Sequence, residues 1–113
     1  MRIGELSRLS GVSARSLRYY EQHGLIAAER GANGYREYDD EALEAARTAH
    51  LLFTLGIGRD LVRAVLACSG EVPAEVHRAT RDDLVEILDQ MGRRIGQLSA
   101  ARDELARIVD RIR

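Results

Sequence analysis

Gly11-Val12-Ser13-Ala14-Arg15-Ser16-Leu17-Arg18-Tyr19-Tyr20-Glu21, followed shortly by Asn33-Gly34-Tyr35-Arg36-Glu37-Tyr38, is the stretch whose reading decides the fold. Before it, Ile3, Leu6 and Leu9 recur at helical spacing until Gly11 stops the run. Val12 reads as a buried anchor. Ser13 reads as a helix N-cap, its hydroxyl accepting from the free N–H groups of the next turn. A second helix is expected from about Ala14 to His23, with Gly24 as its C-terminal break. Two short helices joined in this way form a helix-turn-helix, whose second helix enters the major groove of DNA.

On that second helix Leu17 falls on the side that packs against Leu6 and Leu9, while Ala14, Arg15, Arg18 and Tyr19 project elsewhere. Arginines there can fork onto a guanine edge or a phosphate, and a tyrosine hydroxyl can donate to a phosphate oxygen. Helix spacing alone equally allows Tyr20 in the core and the arginines as solvated surface. The residues after Gly24 narrow the choice. Leu25-Ile26-Ala27-Ala28 is apolar enough for a strand, and Asn33-Gly34 signals a two-residue hairpin turn with both residues at positive φ. Tyr35-Arg36-Glu37-Tyr38 then alternates as the return strand. A hairpin directly after a recognition helix is a wing, and its arginine and tyrosines suit a sugar-phosphate backbone.

Taken in order, Ile3-Gly4-Glu5-Leu6-Ser7, Gly11-Val12-Ser13, Ser16-Leu17-Arg18-Tyr19-Tyr20-Glu21, Gly24-Leu25-Ile26 and Asn33-Gly34-Tyr35-Arg36-Glu37-Tyr38 resemble the signature of the MerR family of transcription regulators. The resemblance covers nearly the first forty residues. It implies that Arg18, Tyr19, Arg36 and Tyr38 contact phosphates of the DNA backbone, with Tyr35 a further candidate from its place on the wing. It also implies that Ser13, Ala14, Arg15 and Ser16 face the bases or the nearest backbone. Further on, Leu55-Gly56-Ile57-Gly58-Arg59-Asp60-Leu61 is similar to the family's second wing, which makes Arg59, near a helix N-terminus, a candidate phosphate contact.

Asp39-Asp40-Glu41 opens a third helix, with Leu43, Ala46, Ala49, His50 and Phe53 as its expected apolar side. A fourth is expected from about Arg59 to Cys68, with Leu61, Val65 and Leu66 facing inward. This sets residues 1–70 apart as a winged helix-turn-helix head. Residues 71–79, holding the single proline Pro73, are expected to be a linker. Residues 80–113 are expected to be a dimerisation helix that starts at a capping box on Thr80-Arg81-Asp82-Asp83.

In that last segment Leu84, Leu88, Met91, Ile95, Leu98, Leu105, Val109 and Ile112 fall on one heptad seam, with Arg102 its one interruption. A helix of this length, about 50 Å, has nothing in the chain long enough to cover it. It therefore needs a partner, and a second copy is the simplest one. Periodicity argues only for a coiled coil; its antiparallel sense is implied by the resemblance. Arg102 either pairs with a partner carboxylate or snorkels its stem. Gly92 and Gly96 each cost the helix about 1 kcal/mol, and either permit a close approach or lie on indifferent surface.

The totals set bounds on function. The chain has 113 residues, 45% hydrophobic and 31% charged, which fits a small folded domain with an appended element. Its net charge of −1 hides an asymmetry, because residues 1–38 hold six Arg against four Glu and the rest carries the opposite excess. Every basic side chain is Arg, which fits phosphate and guanine recognition or simply an Arg-rich composition. No apolar run is long enough to span a bilayer and no leader opens the chain, so a cytoplasmic location is expected.

Cys68, the single cysteine, is read as a small buried hydrophobe or a redox thiol; one thiol is too few for a tight soft-metal site. No cofactor and no metal are expected, and His50 reads as a core-edge residue. The helix is still running at Arg113, so no effector domain is expected beyond it, and no residue names an effector. No catalytic constellation is present, so an enzyme is not expected. The leading expectation is a homodimeric regulator of double-stranded DNA. By resemblance it binds a pseudo-palindromic promoter operator, bends and untwists it, and so serves RNA polymerase. An architectural or recombination accessory DNA protein, or a coiled-coil interaction module, would use the same parts differently.

Overall fold

The computed structural model describes residues 1–112, which fall into two units, Met1–Pro73 and the helical segment after it. The first unit opens with α1 (Ile3–Ser10) and α2 (Ala14–Gln22). Gly11 sits between them at φ 73°, and its N–H closes the end of α1 on the Ser7 carbonyl at 3.0 Å. That left-handed cap favours glycine, because a Cβ there meets the neighbouring carbonyl. The Ser13 hydroxyl accepts from the Ser16 N–H at 3.1 Å, which is the N-cap expected for α2. The Ser7 hydroxyl donates to the Val12 carbonyl at 2.6 Å and ties the turn back to α1.

The wing is β1 (Glu29–Arg30) paired antiparallel with β2 (Arg36–Glu37), in the register Glu29 with Glu37 and Arg30 with Arg36. Leu25-Ile26-Ala27-Ala28, expected as the first strand, is not one. The Leu25 N–H instead closes α2 on the Tyr20 carbonyl at 2.8 Å, and Leu25 and Ile26 are buried as a plug beneath it. The turn also differs from expectation. Gly34 alone has positive φ, at 81°, and the Gly34 N–H donates to the Gly31 carbonyl while the Gly31 N–H donates to that of Tyr35. This is a three-residue loop, a type I turn closed by a left-handed glycine, which needs positive φ at one residue only. The return strand ends early because Tyr38 exchanges backbone bonds with Met1, at 2.7 and 2.8 Å, rather than with β1.

α3 (Asp40–Thr54) starts at Asp39, whose carboxylate accepts from the Ala42 N–H at 2.9 Å, and α4 (Arg59–Ala67) comes next. α3 packs on α1 and on α4, and α1 packs on α2. The core holds Leu6, Val12, Leu17 and Val62 with essentially no exposure, beside Ala46 and Ala49 on the inner face of α3. Two inward faces differ from the sequence expectation. His50 is exposed and Leu52 is buried in its place. On α4, Val62 is the buried residue, while Leu61, Val65 and Leu66 are half-buried. Arg47 reaches the Leu9 carbonyl at 3.1 Å and satisfies one of the free acceptors at the end of α1.

The second unit is α5 (Ala74–Arg111), a single helix of 38 residues and so about 57 Å long. It begins six residues before the expected start at Thr80, which lies inside the helix and caps nothing. Residues 71–79 are therefore not a linker as a whole, and the break between α4 and α5 is confined to the residues up to Pro73. Proline keeps the residue before it out of helical geometry and places no such limit on the residues after it. With Glu75 in the first turn to complement the helix dipole, the helix starts at once. The seam residues Leu88, Ile95, Leu98, Leu105, Val109 and Ile112 are 60–73% exposed, and Leu84 and Met91 are half-buried.

Candidate nucleic-acid interface

The N-terminal end of α2 has no acidic residue in its first turn, so its dipole and free N–H groups face outward without an internal counter-charge. Ser13 is exposed and its hydroxyl donates to that of Ser16 at 3.1 Å, while Ala14 and Ser16 are half-buried beside it. Arg15 and Arg18 are exposed one turn apart, and among the described residues neither has a carboxylate within ion-pair distance. Leu17 and Tyr20 point the other way into the core, and the Tyr20 ring stacks on Phe53 at 5.5 Å between centroids. Tyr20 thus lies in the core, as helix spacing allowed.

The wing stands beside this helix and joins it through one side chain. Glu21, on α2, pairs through Oε2 with Arg36 Nε at 2.9 Å and accepts the Tyr38 hydroxyl on Oε1 at 2.6 Å. Arg36 and Tyr35 are exposed, and Arg2 lies over the Tyr35 ring at 4.3 Å, a cation–π contact. Between wing and helix lies a cleft of about 370 Å³ lined by Arg2, Ile3, Arg18, Glu21, Gln22, Tyr35, Arg36 and Tyr38. Three guanidinium groups thus share one concavity with a single carboxylate.

Tyr38 departs from the role the sequence assigned it. It is only 4% exposed and its hydroxyl is committed to Glu21. Burial first, then the bond to Glu21 and that residue's charge, push the phenol up to about 12, so it holds its proton and donates inward. A phosphate-facing Tyr38 is replaced by a structural one. Sequence alternation marks Tyr38 and Arg36 alike as wing residues, and only packing separates the two.

On the other flank, Arg59 at the start of α4 is exposed and donates from Nη1 to the Tyr19 hydroxyl at 3.2 Å. Arg63, four residues on, donates to the His23 carbonyl at 2.9 Å, and the His23 ring lies against Tyr19 at 4.3 Å. These bonds fasten α4 to the end of α2, so that Tyr19 and Arg59 are placed together, while Arg18 lines the cleft on the wing side. Arg2, Glu21 and Arg63 are the contributors that sequence reading missed, since their partners lie far away along the chain. Cys68 is half-buried at the end of α4, and among the described residues no group of His, Cys, Asp and Glu is arranged to hold a metal. No helix among them is long and apolar enough to cross a membrane.

The family model described as the MerR family regulatory protein matches residues 2–38, which hold both α2 and the wing. Over 112 residues the chain is 35% identical to the HTH-type transcriptional regulator HmrR of Rhizobium leguminosarum bv. viciae, covering 96% of this chain and 84% of that one. Of several other curated relatives the chain spans about half the length. Among solved structures, a MerR family transcriptional regulator from Listeria monocytogenes superposes with a TM-score of 0.71 at 30% identity, over 91% of this chain and 83% of that one. HiNmlR, a MerR family regulator lacking the sensor domain and solved bound to promoter DNA, shares the fold with a TM-score of 0.60 at 19% identity, over 84% and 77% of the two chains. With this likeness running through head and long helix alike, the chain belongs to the MerR family and is a DNA-binding transcription regulator, not an enzyme.

Proposed function

We propose that the protein works as a homodimer on a pseudo-palindromic promoter operator, each head laying α2 in a major groove. In this reading Ser13, Ala14, Arg15 and Ser16 meet base edges or the nearest backbone. Arg18, Tyr19, Tyr35, Arg36 and Arg59 take phosphates on either side. The observation that carries it is the pair Arg15 and Arg18, exposed beside the unopposed N-terminal end of α2 and without an internal ion-pair partner. Guanidinium groups left in that state are matched to guanine edges and phosphate oxygens.

The dimer is supported by the seam on α5, whose apolar side chains stand in water when the chain is alone. Two heads held apart by an antiparallel pair of such helices fit a two-fold operator. Bending and untwisting of the DNA between them, to the benefit of RNA polymerase, follows the family pattern, with DNA deformability contributing to specificity. A cytoplasmic location is consistent with this DNA target.

The test is equilibrium binding of the full chain to the DNA upstream of its own gene. A lost base contact at Arg15 costs about 1–3 kcal/mol and the lost phosphate contact at Arg18 adds to it, so replacing both with Ala is expected to weaken binding by at least about tenfold. Unchanged affinity in that double variant would overturn the assignment of α2 as the reading helix.

A further inference from the structure

We infer that Glu21 is a positioning residue for DNA binding, a carboxylate that aims the Arg36 guanidinium of the wing at the nucleic acid. This rests on the preceding reading that the cleft between α2 and the wing faces the DNA backbone. Glu21 is the one acidic residue lining that cleft, beside Arg2, Arg18 and Arg36. A carboxylate facing a polyanion should weaken binding, so its presence there calls for a reason.

The geometry supplies one. The Glu21 side chain is only 21% exposed, and both its oxygens are engaged by the wing. Oε1 is held from the buried side by the Tyr38 hydroxyl, and Tyr38 is itself fixed by its backbone bonds to Met1. Oε2 then meets Arg36 at Nε, the inner nitrogen of the guanidinium, while the Arg36 side chain stays 64% exposed. Arginine is long and has many rotamers, and holding its inner nitrogen limits the freedom lost when its outer nitrogens meet a phosphate. The wing is also short, with two residue pairs, so a bond from α2 to its second strand sets where the whole hairpin stands.

Charge removal and loss of positioning have opposite signs, which makes the inference testable. Binding to the upstream DNA is measured over a range of salt for wild type, Glu21→Gln, Arg36→Ala and the double variant. Glutamine keeps the shape and an acceptor for Tyr38 but releases the charge-assisted hold on Arg36. Glu21→Gln is expected to bind more weakly than wild type, although it removes a negative charge. Its salt slope is expected to fall by about one, as for the loss of a phosphate contact. In the Arg36→Ala background the same change is expected to be neutral or to strengthen binding, because only the repulsion is left to remove.

Tighter binding by Glu21→Gln in the wild-type background, or weaker binding with an unchanged slope, overturns the inference. If Arg36→Ala leaves affinity and slope unchanged, the wing does not face DNA. The reading beneath the inference then fails, separately from the role of Glu21. Should Glu21→Gln melt below the assay temperature, Tyr38→Phe takes its place. It frees the carboxylate from its buried side, and the expected result is again a loss of affinity with a lowered slope, an unchanged slope being the overturning one.

Discussion

The head and the long helix draw on the same hydrophobic residues and use them in opposite ways. In Met1–Pro73, side chains such as Leu6, Val12, Leu17 and Val62 have essentially no exposure. On α5 the seam leucines and isoleucines are mostly exposed over a helix of 38 residues. Burial of apolar surface is the main favourable term in folding, so the head carries its own stability while the helix has its stabilising face unspent. Most helical stability in proteins comes from packing of an amphipathic face rather than from propensity, and two interior glycines, Gly92 and Gly96, lower the propensity of α5. A Cβ at either glycine would meet only open space, so neither is required by packing within the chain. The difference separates a unit that buries its apolar side chains from one that leaves them exposed, and in the proposed dimer a second copy covers the exposed seam.

The largest effect should come from breaking the incomplete side. Leu98→Glu with Leu105→Glu puts two charges on the seam of each chain. Full burial of a leucine is worth about 1.5–3 kcal/mol, so four lost across a dimer amount to roughly 6–12 kcal/mol. Sedimentation equilibrium is expected to show monomers at concentrations where wild type is dimeric, with helix content reduced by circular dichroism. A wild-type monomer at micromolar concentration would remove the contrast altogether.

The complete side is probed by Leu17→Ala. Leu17 is 0% exposed, and deleting a leucine side chain from a packed core costs about 2–5 kcal/mol. Urea unfolding of the head is expected to move to lower denaturant, while the dimer dissociation constant of molecules still folded stays within about twofold of wild type. Dissociation tracking the head's stability would show that the two units are not separate in energy.

A smaller effect sits where wing meets helix. The Tyr38 hydroxyl donates to a carboxylate, a bond worth about 1.5–3 kcal/mol, part of which solvent and Arg36 recover when it is lost. Tyr38→Phe should therefore lower the head's stability by about 1–2 kcal/mol at neutral pH. The phenol is raised from 10.0 to about 12 in the folded protein, which means that folding favours its protonated form. Its contribution is thus complete below pH 10 and is lost as pH rises toward 12. Unfolding free energies measured between pH 8 and pH 11, as round limits around that onset, should fall more steeply for wild type than for Tyr38→Phe. Parallel profiles would contradict a buried, hydrogen-bonded phenol.

Much of this molecule was legible in its sequence, and the legible parts share a physical origin. The Gly11 and Ser13 caps, the opening of α3 at Asp39-Asp40-Glu41 and the glycine of the wing loop are local events, each made between residues no more than four apart, and set by φ preference, the helix dipole and short side-chain bonds. The α5 seam is equally local, because a repeat along one helix places its residues on one face whatever surrounds it. Where the sequence reading went wrong, a competing interaction had intervened. Leu25 gave its N–H to the end of α2 and not to a strand, and Pro73 allowed α5 to begin before Thr80.

The tertiary structure alone decided which tyrosine looks outward. Tyr35 and Tyr38 stand three residues apart with the same chemistry, yet one is exposed under Arg2 and the other is buried on Glu21. It also decided that Glu21 would join helix to wing, 15 and 17 residues from Arg36 and Tyr38, and that Arg59 would reach Tyr19. Periodicity assigns a residue to a face. Which distant group meets it there depends on how the elements pack, and no local preference encodes that.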